Sequence, residues 1–125
     1  ALAPRLRGLG AEVTLSARKY EDFARIEGAG YDWLHTGKLA GQLHRFPLIY
    51  NTVPDIILTR KIVSDCREDA LIVDLASGKG GVAEDAKELC RVMHALSLPG
   101  KVAPVSAAQA IYTTVCHMLE EEGLV

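Results

Sequence analysis

Two apolar spacings alternate along the chain. Leu2, Leu6 and Leu9 fall on one helical face that Gly8 or Gly10 closes. Residues 11–17 then alternate apolar and small side chains with the β-branched content of a strand. Phe23 and Ile26 predict a helix over residues 20–28, broken by Gly28 and Gly30. Residues 31–35 read as a short strand, 38–44 as a brief helix carrying Leu39 and Leu43, and 47–53 as a strand that stops at Pro54. Leu58 and Ile62 predict a helix over residues 55–66, although the β-branched Ile56 and Ile57 suit a strand as well. Residues 70–75 are almost wholly apolar, as in a strand buried on both faces. Val82, Ala86, Leu89 and Cys90 mark the next helix, with Glu84 and Asp85 in its first turn where the macrodipole favours carboxylates. Residues 92–96 form the last expected strand, and Ala107, Ile111, Val115 and Leu119 stripe a final helix that ends at Gly123.

Strands and helices in strict alternation give right-handed crossovers and a parallel sheet covered on both faces. The expected fold is therefore α/β, a Rossmann-like doubly wound parallel sheet. The chain begins in mid-pattern, with a helix that ends almost at once, so a first strand and its turn are expected to be missing ahead of Ala1. Its 125 residues suit one domain or most of one.

Composition narrows the function classes. A net charge of -2 gives no basic excess for nucleic acid. No apolar run reaches the roughly 20 residues of a membrane span, and no signal peptide opens the chain. Cys66, Cys90 and Cys116 are scattered, with no C-x-x-C pair, which reads as reduced thiols of an intracellular, cytoplasmic protein.

Ligands of such sheets bind outside the carboxyl ends of the strands. Arg18 and Lys19 follow the strand that ends beside the adenosine ribose in a dinucleotide domain. A carboxylate there binds a free 2′-hydroxyl and an arginine pairs with a 2′-phosphate, so NADP is favoured with NAD still open. A solvated basic pair accounts for the two residues about equally well. Asn51, Thr52, Val53 and Pro54 offer an amide, a hydroxyl and a fixed turn, for which turn chemistry alone is the plainer explanation.

The stretch LIVDLASGKGGV at 71–82 superficially resembles a phosphate loop, and ALSLPGKVAPVS at 95–106 echoes it. Gly78, Gly80 and Gly81 match neither the P-loop nor the G-x-G-x-x-G spacing, so a turn into the next helix explains them better. Asp74 and Ser77 reach a ligand or cap that turn. Lys101 sits in a stiff loop between Pro99 and Pro104, placed to meet a carboxylate or simply solvent. His35, His44, His94 and His117 have no ligand spacing with one another or with a cysteine, which leaves metal and nucleophilic chemistry without support.

Arg18, the run from Asn51 to Pro54, Asp74 to Ser77 with Gly80, Gly81 and Val82, and the segment 98–104 with 107–111 together resemble the nucleotide-binding domain of the dipicolinate synthase A-subunit family. The resemblance runs over nearly the whole chain. It implies an oxidoreductase of endospore-forming bacteria that oxidises a dihydrodipicolinate-type intermediate to dipicolinate with a nicotinamide cofactor during sporulation. It also implies a partner, a flavoprotein-like second subunit; homo-oligomerisation is left open. Carried onto this chain, Arg18 meets the 2′-phosphate, and Asn51, Thr52 and Pro54 line the ribose and nicotinamide side. Ala76, Ser77, Leu98, Pro99 and Gly100 close the nicotinamide pocket. Two departures stand out: the glycine-rich pyrophosphate turn is absent ahead of Ala1, and Gly78-Lys79 stands where a proline is expected. A chain without that turn is expected to bind cofactor poorly alone.

Aromatising a dihydropyridine needs a hydride acceptor and a proton acceptor. NADP answers for the first, and no residue is identified for the second. Lys79 and Lys101 are expected to pair with the carboxylates of a dicarboxylate substrate. Two alternatives remain open: a dehydrogenase domain of the 2-hydroxy-acid or adenosylhomocysteine-hydrolase-like kind, or a non-catalytic nucleotide-binding assembly module.

Overall fold

The computed structural model describes residues 2–95 and 107–123. The chain divides into two compact units, one made of Ala1–Val13 with Leu98–Val125 and the other of Thr14–Ser97. In the first unit, helix α1 (Leu2–Gly8) contacts helix α4 (Ala107–Glu121). Val115 and Leu119, one turn apart on α4, are both buried, as the apolar stripe predicts. Gly123, at φ +71°, ends the helix in the left-handed region that glycine adopts most readily.

Among its described residues the second unit holds five strands in two parallel ladders. Strand β1 (Thr14–Ala17) pairs with β2 (Asp32–His35), with Thr14 opposite Asp32. Strand β3 (Leu48–Asn51) pairs with β4 (Leu71–Asp74), and β4 with β5 (Arg91–His94), so that Asn51, Asp74 and His94 lie level at the carboxyl ends. In the doubly wound order 3-2-1-4-5-6 a first strand separates the second from the fourth. Among the described residues the two ladders share no strand pairing, and their orders, β1-β2 and β3-β4-β5, each follow one run of that pattern. Helix α2 (Tyr20–Gly28) covers β1 and β2 through Phe23, whose ring stacks on Trp33 at 4.2 Å.

The main core lies against β4. Leu39, Leu43, Leu58, Val63, Ile72, Val82 and Ala86 form one buried cluster there, and Val73 on the opposite face of the strand is equally inaccessible. A continuous apolar run buried on both faces is what a central parallel strand requires.

Three expected helices are much shorter than their apolar spacing suggests. Residues 38–44 contain no α-helix. They run from the end of one 3-10 turn, Thr36–Lys38, into another, Leu43–Arg45, with Gly41 at φ +80° interrupting any regular helix. Of residues 55–66 only α3 (Arg60–Val63) is helical, capped by the Thr59 hydroxyl, which accepts from the Ile62 N–H. Ahead of it the Ile57 and Leu58 N–H groups both donate to the Gly81 carbonyl, and Leu58 bridges Val82 in parallel. The same bridge fixes Val82 in an extended conformation, leaving a 3-10 turn at Glu84–Ala86 in place of the longer helix that spacing predicts. Spacing at i and i+4 marks which residues are buried here, and a long-range backbone pairing decides their conformation.

Candidate functional site

A cavity of about 360 Å³ opens at the carboxyl ends of β1, β2 and β3. Ser16, Arg18 and Lys19 enter it from β1 and the turn after it, Thr36 from the end of β2, and Val53 and Ile57 from the segment after β3. The Ser16 and Thr36 hydroxyls lie 2.8 Å apart and tie the ends of β1 and β2 together. An adjoining hollow shares Arg18, Thr36 and Ile57 and adds His35, Ile56 and Ile62. The wall is thus polar on one side, with hydroxyls and charges of both signs, and aliphatic on the other.

Glu21, Asp22 and Arg25 of α2 line the cavity as well. Asp22 pairs with Arg25 at 2.8 Å on the exposed face of α2. Among the described residues no carboxylate pairs with Arg18 or Lys19, and both side chains are exposed. Lys19 is also the N-cap of α2 and supplies no side-chain acceptor, while Glu21 and Asp22 stand in the helix's first turn, where its positive end favours carboxylates.

A second arrangement lies at the ends of β3 and β4. Asp74 is 0% exposed and accepts three N–H bonds: from Asn51 Nδ2 at 2.9 Å, from the Gly81 backbone at 2.9 Å and from the Ala76 backbone at 3.3 Å. The Asn51 amide also donates to the Val53 carbonyl at 3.0 Å, and its oxygen receives the Val53 N–H at 3.4 Å. The loops that leave the two strands are therefore joined through side chains. A Cβ on Gly81 would stand 2.0 Å from Asn51 Nδ2, so only glycine fits.

The structure sorts the expected site residues into groups. Arg18, Lys19 and Val53 share the cavity. Thr52, Pro54, Ser77 and Lys79 are exposed, the last within a turn flanked by Gly78 and Gly80 at positive φ. Asn51 and Ala76 are buried, and Asp74, expected to reach a ligand or cap its turn, has its carboxylate enclosed by protein donors, two of them backbone N–H groups of the segment that follows it. Leu98, Pro99, Gly100 and Lys101 lie outside the described residues.

Sequence reasoning misses Ser16, Thr36 and Ile57 as cavity residues. The first two are findable, since each stands at or beside a strand end, whereas Ile57 falls within an expected helix. Among the described residues no group of three His, Cys, Asp or Glu side chains could hold a metal ion. Burial, followed by the nearby Cys90 and Asp65, pushes the Cys66 thiol up to about 11, and burial raises Cys90 too. Neither is a ready nucleophile at neutral pH. No described helix is long and apolar enough to cross a membrane.

No family model matches the chain. It is 34% identical over 124 residues to the A subunit of dipicolinate synthase from Bacillus subtilis (strain 168), an alignment covering 96% of this chain and 41% of that protein. The crystal structure of the Bacillus subtilis dipicolinate synthase A chain superposes with a TM-score of 0.74 at 33% identity, over 95% of this chain and 41% of that one. The A-subunit structure from Bacillus halodurans gives a TM-score of 0.73 at 28% identity, over 94% and 41%. The chain thus spans about two fifths of the length of these relatives. With parallel α/β ladders that match their fold, it belongs among the relatives of the dipicolinate synthase A subunit, matched along nearly its whole length to part of that protein.

Proposed function

We propose that this chain is the nucleotide-binding part of an NADP-linked oxidoreductase subunit that oxidises a dihydrodipicolinate-type intermediate to dipicolinate during sporulation. One observation carries the cofactor half of this reading. Arg18 and Lys19, free of carboxylate partners among the described residues, open onto a cavity at the carboxyl ends of parallel strands. A guanidinium beside the hydroxyls of Ser16 and Thr36 suits a phosphomonoester on a ribose, and the aliphatic wall of Val53, Ile56 and Ile57 suits an adenine face. The residues present therefore fit NADP. A nicotinamide cofactor, when bound, supplies hydride acceptance.

This chain's own contribution is binding and orientation. Arg18 and Lys19 neutralise the phosphate, and the loops after β3 and β4, with Thr52, Pro54, Ala76 and Ser77, border the nicotinamide side. Lys79, exposed in its glycine turn, pairs with a substrate carboxylate, with Lys101 in the same role. The dipicolinate half of the reading rests on the relatives' name. That the Bacillus subtilis relative is one subunit of its synthase also supports a second polypeptide in the assembly. For that partner we propose a flavoprotein-like protein in the same cytoplasmic compartment.

Calorimetric titration of the full-length protein with NADP⁺ and NAD⁺ tests the proposal. Tighter binding of NADP⁺ is expected. Binding of neither dinucleotide would favour an assembly module, and tighter binding of NAD⁺ would remove Arg18 from the role given to it.

A further inference from the structure

We infer that Asp74 is a positioning residue: with Asn51 it locks the loops after β3 and β4 into one preformed rim before any cofactor arrives. This deepens the nucleotide-site reading and rests on it. A carboxylate with no solvent exposure is costly to bury unless protein donors satisfy it, and here three N–H groups do so. Their placement is informative. One comes from β3, 23 residues upstream, one from two residues downstream, and one from Gly81 beyond the glycine turn. A group serving only the strand's own stability would have no need to reach both loops.

The lock extends in two directions from Asp74. Asn51 carries it to Val53, whose side chain lines the cavity, through a pair of bonds with the Val53 backbone. Gly81 carries it to Ile57 and Leu58, whose N–H groups both donate to the Gly81 carbonyl. Two aliphatic residues of the cavity wall, Val53 and Ile57, are therefore held through Asp74 without Asp74 itself lining the cavity. The closeness of Asn51 to the Gly81 backbone leaves no room for slack, because even a methyl group on Gly81 would overlap the amide.

The test uses the full-length protein, with amide hydrogen exchange measured in the absence and presence of NADP⁺, alongside NADP⁺ affinity and steady-state kinetics. In the unmodified protein, the Val53, Ala76 and Gly81 amides should be protected without cofactor and change little on adding it. Asp74→Asn replaces one acceptor with a donor facing N–H groups. It should speed exchange at those amides by about tenfold or more relative to Ile72, and weaken NADP⁺ binding about tenfold, the order expected for a lost hydrogen bond to a charged group. Asn51→Ala removes the amide without placing a donor against another donor, and should give a smaller change of the same pattern if Asp74→Asn does not fold.

Three results would overturn the inference. One is protection at Ala76 and Gly81 that appears only with cofactor. Another is a uniform loss of protection that includes Ile72 and Val73, the mark of general fold support. The third is loosened loops with unchanged affinity, KM and kcat. If the unmodified protein binds neither dinucleotide, the nucleotide-site reading fails, while exchange in the cofactor-free protein still decides whether Asp74 locks the loops.

Discussion

The two parallel ladders of the Thr14–Ser97 unit treat their polar residues in opposite ways. In the β3–β5 ladder every residue of β4 is buried, and the acidic residue at its carboxyl end is bonded entirely within the protein. In the β1–β2 ladder no strand residue is fully buried, and the charged residues at its carboxyl end, Arg18 and Lys19, stand exposed over a cavity. The difference follows from burial. A polar group inside a dense core must take its partners from the protein, so it fixes shape. A group at a half-buried edge keeps its hydrogen-bonding capacity for something else. The closed ladder supplies the form of the site, and the open one its chemistry.

Substitutions at a buried apolar residue of each ladder or of the helix that covers it can break this comparison. Ile72, 0% exposed on β4 and central to the main cluster, should lose about 4 kcal/mol of stability on change to alanine, read from urea unfolding. Phe23 is the buried anchor of the other ladder, 5% exposed between Trp33 and Tyr20. Phe23→Ala should cost about 3 kcal/mol, toward the lower end for a phenylalanine, because Tyr20 and Trp33 already meet solvent. A larger loss at Phe23 than at Ile72 would reverse the assignment of which ladder holds the fold.

The same contrast explains what is legible in the sequence. The run around Ile72 announces a buried strand because nothing polar interrupts it until Asp74. Helix α2 is legible for the complementary reason: Phe23 and Ile26 lie on one face, and glycines close it, so local information suffices. The place of Arg18 just beyond a strand can be read because a strand end is a local feature too. The helices expected over 38–44, 55–66 and 82–90 fail where tertiary contacts overrule spacing. Gly41 takes a left-handed turn, and Leu58 and Val82, 24 positions apart, are joined by an isolated parallel bridge. The bonding of Asp74 is invisible for the same reason, since its partners include a side chain 23 residues upstream and a backbone group beyond the turn.

Arg18→Ala sharpens the comparison from the open side. An exposed side chain without an ion-pair partner among the described residues should change unfolding stability by no more than about 0.5 kcal/mol. NADP⁺ affinity of the full-length protein should fall about tenfold, or about 1.4 kcal/mol, with NAD⁺ affinity little altered. A loss of stability larger than the loss of binding would move Arg18 into the structural class.

The smallest effect concerns a charge pair on the outside of the closed ladder, and it asks whether ions add to what burial supplies there. His44 Nδ1 lies 3.2 Å from Asp65 Oδ2, and the His44 backbone N–H reaches the same oxygen at 3.3 Å. Burial by itself would raise the Asp65 carboxyl, but the two His44 hydrogen bonds, with the Asp65 backbone and the His44 charge, outweigh it and leave the group below its ordinary value of 3.8. A carboxyl depressed by folding stabilises the native state above its unfolded value, and that stabilisation is lost as pH falls through the lower, folded value. The unmodified protein should therefore weaken slightly more than Asp65→Asn as pH is lowered below about 4. A difference of a few tenths of a kcal/mol is expected for so exposed a pair, measured by urea unfolding at each pH. A difference above about 1 kcal/mol would mean that surface ions, as well as buried side chains, hold this ladder closed.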